Sequence, residues 1–213
     1  RLAADHMKRA TMELGGHGPV IVFDDVDAEK VAAAAATGKF RNAGQVCISP
    51  TRFFVHEKVY DRFVEAFASI AKGLKVGNGL DKDTQMGPMA NARRIDTMEK
   101  FVGDAVGRGA KVASGGQRIG NQGFYFAPTV LSDVPEDSRV MNEEPFGPIA
   151  PCVRFRDFDD VVRRANKLPF GLAAYAFTGS ADRATAVADA LESGMVGINH
   201  FGVSLPETPF GGV

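Results

Sequence analysis

What most restricts the fold of this chain is the way two hydrophobic periods take turns along it. Short runs rich in β-branched or aromatic residues are each followed by a stretch whose apolar residues recur every three or four positions. Val20-Ile21-Val22-Phe23 reads as a buried strand that stops at Asp24 and Asp25. Asp27 then offers a helix cap, and the Ala-rich segment to about Phe40 reads as a helix. Residues 51–56 predict a second strand, and Val59, Phe63, Phe67, Ile70 and Leu74 predict the apolar face of the next helix. Residues 75–90, with Gly77, Gly79, Gly87 and Pro88, predict a long ordered loop. Beyond it come a helix carrying Ile95, Met98, Val102, Ala105 and Val106, a short strand at 111–113, and extended pieces at 124–126 and 128–131. A strand at 150–155, a helix at 158–168, a strand at 173–177, a helix at 184–191 and a strand at 195–198 complete the series. Parallel neighbours need a helical crossover, so this alternation predicts an α/β layered domain with a mostly parallel sheet flanked by helices. No repeat or composition break divides residues 1–213, which read as one domain with a loose N-terminal lead.

Composition narrows the function classes. The 213 residues are enough for one full core, and 45% apolar with 24% charged residues is ordinary for a globular protein. No apolar run approaches the ~18 residues of a membrane span, so no membrane is expected as a partner. Lys plus Arg number 25 against 26 Asp plus Glu, without a block of one sign, which speaks against nucleic acid. Two cysteines, Cys47 and Cys152, make neither a disulfide framework nor a metal cluster, and favour a reducing, cytoplasmic setting. His6, His17, His56 and His200 share no metal-ligand spacing, so no metal is expected. Arg1 is not an initiator Met, and Val213 follows directly on Phe210-Gly211-Gly212. The chain is expected to be cut at both ends.

Three places combine reactive side chains with turns. Cys47 lies between Asn42-Ala43-Gly44-Gln45 and the strand announced by Pro50, and such junctions expose side chains to clefts. A thiol there is a strong nucleophile once ionised, although a lone Cys is more often a packed core residue. Glu13, ahead of Gly15-Gly16 and a buried strand, suits a general base, although a lone Glu here is more often a solvated carboxylate in a flexible lead. Glu143-Glu144-Pro145-Phe146-Gly147-Pro148 pairs carboxylates with an aromatic held between two prolines. An acid can accept from a ribose hydroxyl and a Phe can pack on a flat ring; an acidic turn with a core Phe is the plainer alternative.

Taken in order, Glu13-Leu14-Gly15-Gly16, Asn42-Ala43-Gly44-Gln45-Val46-Cys47, Glu143 to Pro148 and Pro209 to Gly212 resemble the aldehyde dehydrogenase superfamily over essentially the whole chain. The resemblance implies that Cys47 attacks an aldehyde to give a thiohemiacetal, that hydride leaves to the nicotinamide of NAD or NADP, and that Glu13 activates the water that hydrolyses the thioester. It implies that the backbone N–H of Cys47 helps hold the oxyanion, that Glu144 binds the nicotinamide-side ribose, and that Phe146 packs beside the ring.

The same resemblance points to departures and to a substrate. His17 stands where the family often has Lys. The family's cofactor-binding Rossmann domain lies largely upstream of Glu13 and its oligomerisation strands lie past Gly212. The chain therefore resembles a catalytic domain taken from a larger protein that is a homo-oligomer. Arg41, in Phe40-Arg41-Asn42 before Cys47, matches an Arg of succinate-semialdehyde dehydrogenases that binds the substrate carboxylate, which a guanidinium can grip through two parallel hydrogen bonds. Pairing with a local acid is the alternative for Arg41, and Ser204 is a candidate to add a hydroxyl. Ser49 replaces the second Cys many such enzymes carry, which excludes a local disulfide switch, and Cys152 reads as a core thiol. Two functions are thus expected to compete: the catalytic portion of an NAD(P)-dependent aldehyde dehydrogenase, or a folded fragment that binds an aldehyde at Cys47 without transferring hydride.

Overall fold

A computed structural model describes residues 1–213. The elements in chain order are α1 (Leu2–Asp5), β1 (Gly18–Val22), α2 (Ala28–Phe40), β2 (Pro50–His56), α3 (Glu57–Gly73), α4 (Ala92–Gly107), β3 (Lys111–Ser114), β4 (Thr129–Ser132), α5 (Arg139–Asn142), β5 (Ile149–Phe155), α6 (Phe158–Ala165), β6 (Ala173–Phe177), α7 (Ala181–Ala190) and β7 (Met195–Ile198). Seven strands form one sheet in the order β3-β4-β5-β2-β1-β6-β7. Every pair is parallel except β3 with β4. The expected α/β architecture with a mostly parallel sheet is therefore the observed one.

Burial on both sheet faces explains the near-continuous apolar strands. All residues of β1 and β2 are buried, and successive β2 side chains serve opposite sides. Phe53 packs against Phe63 and Phe67 of α3, whereas Arg52 reaches the carbonyls of Arg164 and Ala165 at the end of α6. Asp27 caps α2 as its position suggests, accepting from the Lys30 N–H at 3.2 Å. No helix is long and apolar enough to cross a membrane.

Some boundaries differ from the sequence reading, each for a local reason. Helix α6 ends at Ala165 and does not run to 168, because the Asn166 side chain binds the Ala190 carbonyl at 2.8 Å and the Glu192 N–H at 3.0 Å, closing the end of α7. The expected extended piece at 124–126 contributes a single bridge, from Phe126 to Arg118. Helix α7 starts at Ala181, three residues before the expected 184, because Ser180 caps it by accepting from the Arg183 N–H at 3.3 Å. The four-residue helices α1 and α5 are too short for periodicity to announce.

The sheet order positions the site. Strands β5, β2 and β1 are adjacent, and they are the strands entered from Glu144, Cys47 and Glu13 respectively. Since all three run parallel, their amino-terminal approaches lie side by side along one sheet edge. Open α/β sheets usually gather ligands at the carboxyl ends of strands; this arrangement uses the opposite edge.

Candidate active site

Cys47 is presented by an unusual turn. After α2, Asn42, Ala43 and Gly44 take φ of 50, 53 and 69°, three successive left-handed residues, two of which carry a Cβ. Such a conformation costs about 1–2 kcal/mol per non-glycine residue and must be held from outside. Gln45 does much of that holding: its amide donates to the Asn42 and Pro88 carbonyls at 3.1 and 3.3 Å and accepts from the Ala90 N–H at 2.8 Å. On the far side, the Tyr175 hydroxyl donates to the Ile48 carbonyl at 2.6 Å. The loop that results leaves Cys47 half-buried, while Cys152 is wholly buried in β5, as a core thiol should be.

Two glycines bring the other segments onto this loop. A Cβ on Gly16 would lie 2.5 Å from the Cys47 carbonyl oxygen, and one on Gly15 would lie 2.3 Å from a carboxylate oxygen of Glu144. The Glu-Leu-Gly-Gly run thus has a steric reason: only residues without side chains let the Glu13 segment lie between the Cys47 loop and Glu144. Gly16→Ala should force these apart by roughly an ångström, which lowers kcat of the full-length protein about 100-fold and costs roughly 1–3 kcal/mol of stability; steady-state kinetics beside a circular dichroism melt checks this.

The three carboxylates behave differently. Glu13 is exposed and stands beside the Cys47 sulfur, close enough for its charge to act on the thiol. Burial is the main influence raising the Cys47 pKa, and the charge and hydrogen-bonding reach of Glu13 add to it. The backbone N–H groups of Ile48 and Cys47 oppose the rise. Neither N–H is used by another backbone or side-chain acceptor, so both remain available for negative charge near the sulfur. Glu144 is half-buried and accepts the Gly16 N–H at 3.1 Å; burial raises its pKa, against the pull of Gly16, Arg94 and Lys39. Glu143 instead pairs with Arg139 at 2.8 and 2.9 Å on the surface, and this ion pair lowers its pKa. Phe146 follows, 37% exposed with φ of 43°. Arg94 donates to the carbonyls of Pro145 and Phe146, fixing this loop.

The Arg41 guanidinium has no acidic partner within ion-pair distance and makes no hydrogen bond. It lines a cavity of about 460 Å³ with Val46 and Ile48, the two neighbours of Cys47, and with His200 and Phe201. Glu13 lines a second cavity of about 580 Å³ with Phe170 and Phe210, and Cys47 itself is in neither lining. Ser204 does not join them: it is exposed and outside both linings. His17 is buried and hydrogen-bonded through Nδ1 to the Thr51 hydroxyl at 2.8 Å. Sequence reasoning overlooked Lys39, Arg94 and Gln45 as parts of the site. Gln45 lies inside the Asn42-to-Cys47 run, but Lys39 looks like an ordinary basic residue in the last turn of a helix, and Arg94 like a solvated helix residue.

The residues present fit one half of a nicotinamide dinucleotide. Glu144 offers an oriented carboxylate, braced by one N–H in a cradle that a side chain at position 15 would fill, beside an exposed aromatic ring on a rigid turn.

The model of the aldehyde dehydrogenase family matches residues 1–213. The chain belongs to the aldehyde dehydrogenase family. It is 48% identical over 213 residues to 4-(hydroxymethyl)benzenesulfonate dehydrogenase TsaD1 of Comamonas testosteroni, covering 100% of this chain and 44% of that protein. It is 43% identical over 210 residues to succinate-semialdehyde dehydrogenase [NADP(+)] GabD of Escherichia coli strain K12, covering 99% and 44%. Among solved structures, the NAD+ complex of an aldehyde dehydrogenase from Bacillus cereus superposes with a TM-score of 0.94 at 36% identity, covering 99% of this chain and 43% of that one. This aldehyde dehydrogenase chain therefore spans less than half the length of the relatives it matches.

Proposed function

We propose that this chain carries the thiol-bearing active site of an NAD(P)-dependent dehydrogenase that oxidises short aldehydes bearing an acidic group, succinate semialdehyde among them, to carboxylic acids. The observation that carries this reading is the convergence of Cys47, Glu13 and Glu144 at one sheet edge, with two unused backbone N–H groups at the sulfur.

The chemistry follows from the positions. The Cys47 thiol gives up its proton to solvent, and the sulfur adds to the aldehyde carbon. The carbonyl oxygen becomes an oxyanion, and the N–H groups of Cys47 and Ile48 are the donors within reach of it. A bound nicotinamide dinucleotide supplies the hydride acceptor. Glu144 would hold its ribose and Phe146 would flank its ring. The thioester left on Cys47 is then attacked by water, whose proton Glu13 takes, releasing the acid and the thiol.

Arg41 supports the acidic-substrate part. Its guanidinium is unpaired and lines the same cavity as the residues flanking the nucleophile, which suits an anion at the far end of a short aldehyde. The relatives fit this reading, since a benzenesulfonate and a succinate semialdehyde both carry such an anion. Arg41→Ala in the full-length protein should raise KM for succinate semialdehyde roughly 10- to 100-fold while changing KM for a neutral aldehyde of similar length less than about threefold. Equal effects on both aldehydes would remove the anion anchor.

A further inference from the structure

One buried charge takes no part in the chemistry above. Lys39, in the last turn of α2, is 0% exposed, yet its ammonium makes a single hydrogen bond, to the Ser49 hydroxyl at 3.5 Å. A lone cation is rarely kept in a core without a use, because removing it from water is costly. Its surroundings are the three segments that build the site. Ser49 lies two residues beyond Cys47 in the same loop, and His17 lies four residues beyond Glu13. The backbone beside Lys39 is packed against the Glu144 loop: a Cβ on Gly44 would meet the Gly147 carbonyl at 2.2 Å and the Lys39 carbonyl at 3.2 Å.

We infer that Lys39 is a positioning residue for Glu144: its buried ammonium attracts the carboxylate and holds it in place as the ribose acceptor, so that the proton on Lys39 governs how tightly the dinucleotide is held. The inference rests on the function proposed above and extends it to a residue that touches neither substrate nor cofactor.

The charges facing this group give the sign of the effect. Glu144 raises the pKa of Lys39, but burial outweighs it and brings the amine down to about 7. Lys39 in turn lowers the pKa of Glu144, as does Arg94 from α4, while Glu13 raises it. His17, from the approach to β1, is kept neutral by burial and by the positive charges of Arg52 on β2 and Lys39. Lys39 is the only cation that hydrogen-bonds the Ser49 hydroxyl. Below pH 7 the ammonium is present and Glu144 is attracted to it. Above pH 7 the amine is neutral and that attraction is lost. Dinucleotide binding therefore raises the Lys39 pKa by linkage and draws a proton from solvent near neutral pH.

Isothermal titration of the full-length protein with NAD, in two buffers of different ionisation enthalpy between pH 6 and 8.5, reads this without turnover. The expected result is uptake of a fraction of a proton that peaks near or just above pH 7, with the dissociation constant rising at least roughly fivefold across the range. In Lys39→Met, whose apolar chain fills the same space, uptake should vanish and the weak affinity should become flat with pH. Ser49→Ala, which keeps the charge, should retain the uptake. Absence of uptake by the unaltered protein overturns the inference without calling on any variant. Equal uptake in the unaltered protein and Lys39→Met also overturns it and leaves the proposed function standing, whereas no saturable NAD binding by the unaltered protein would sink both.

Discussion

Replacing Cys47 by Ala in the full-length protein should reduce aldehyde oxidation by more than about four orders of magnitude, and ester hydrolysis at the same site with it. The expectation is this large because no other nucleophile is at hand. Cys152 is the only other thiol, and it is sealed in β5 with its pKa pushed far up by burial. Cys152→Ala removes a sulfur from a packed core and should cost stability, roughly 1–2 kcal/mol, with turnover nearly intact. Similar activity losses in the two variants would contradict the assignment.

Glu13→Gln should lower kcat roughly 100- to 10,000-fold, the usual scale for losing a positioned base. Its diagnostic feature is where turnover stops. Thiohemiacetal formation needs the thiol to ionise, which the negative charge of Glu13 disfavours, whereas thioester hydrolysis needs a base that Gln cannot supply. The variant should therefore accumulate acylated Cys47 when given aldehyde and cofactor, visible as a mass increase on the peptide containing Cys47 and as a burst equal to the site concentration. A variant that is slow but shows neither would place Glu13 outside the hydrolytic step.

The fold was legible because strand and helix periods alternate cleanly from Val20 to Ile198, and burial on both faces of β1 and β2 left little polar interruption. Less legible were the points where a side chain overrides the period, as at Asn166, which leaves α6 to close α7. In the site, the motif residues Glu13, Cys47 and Glu144 stood out by type and by the turns around them, and adjacency of β5, β2 and β1 supplies what spacing alone could not. Gly15 and Gly16 looked like turn glycines, yet their role is close approach, a fact that needs coordinates. Lys39 was invisible because nothing in a helical sequence marks which lysine is wholly buried. Ser204, suggested by its loop, is not brought into the cavity that Arg41 lines.

The central claim is that the Cys47 sulfur and the Glu13 carboxylate form one electrostatic unit. Its most direct test is the pH dependence of Cys47 alkylation by iodoacetamide in the unaltered protein and in Glu13→Gln, followed by mass spectrometry without substrate. The pKa of the thiol lies above the ordinary range, so labelling of the unaltered protein should be slow at pH 7 and rise on the alkaline side. Removing the neighbouring negative charge should shift that profile to lower pH and speed labelling at pH 7 several-fold, even as turnover collapses. Superimposable profiles for the two proteins would show that the carboxylate does not act on the sulfur, and the account would fail.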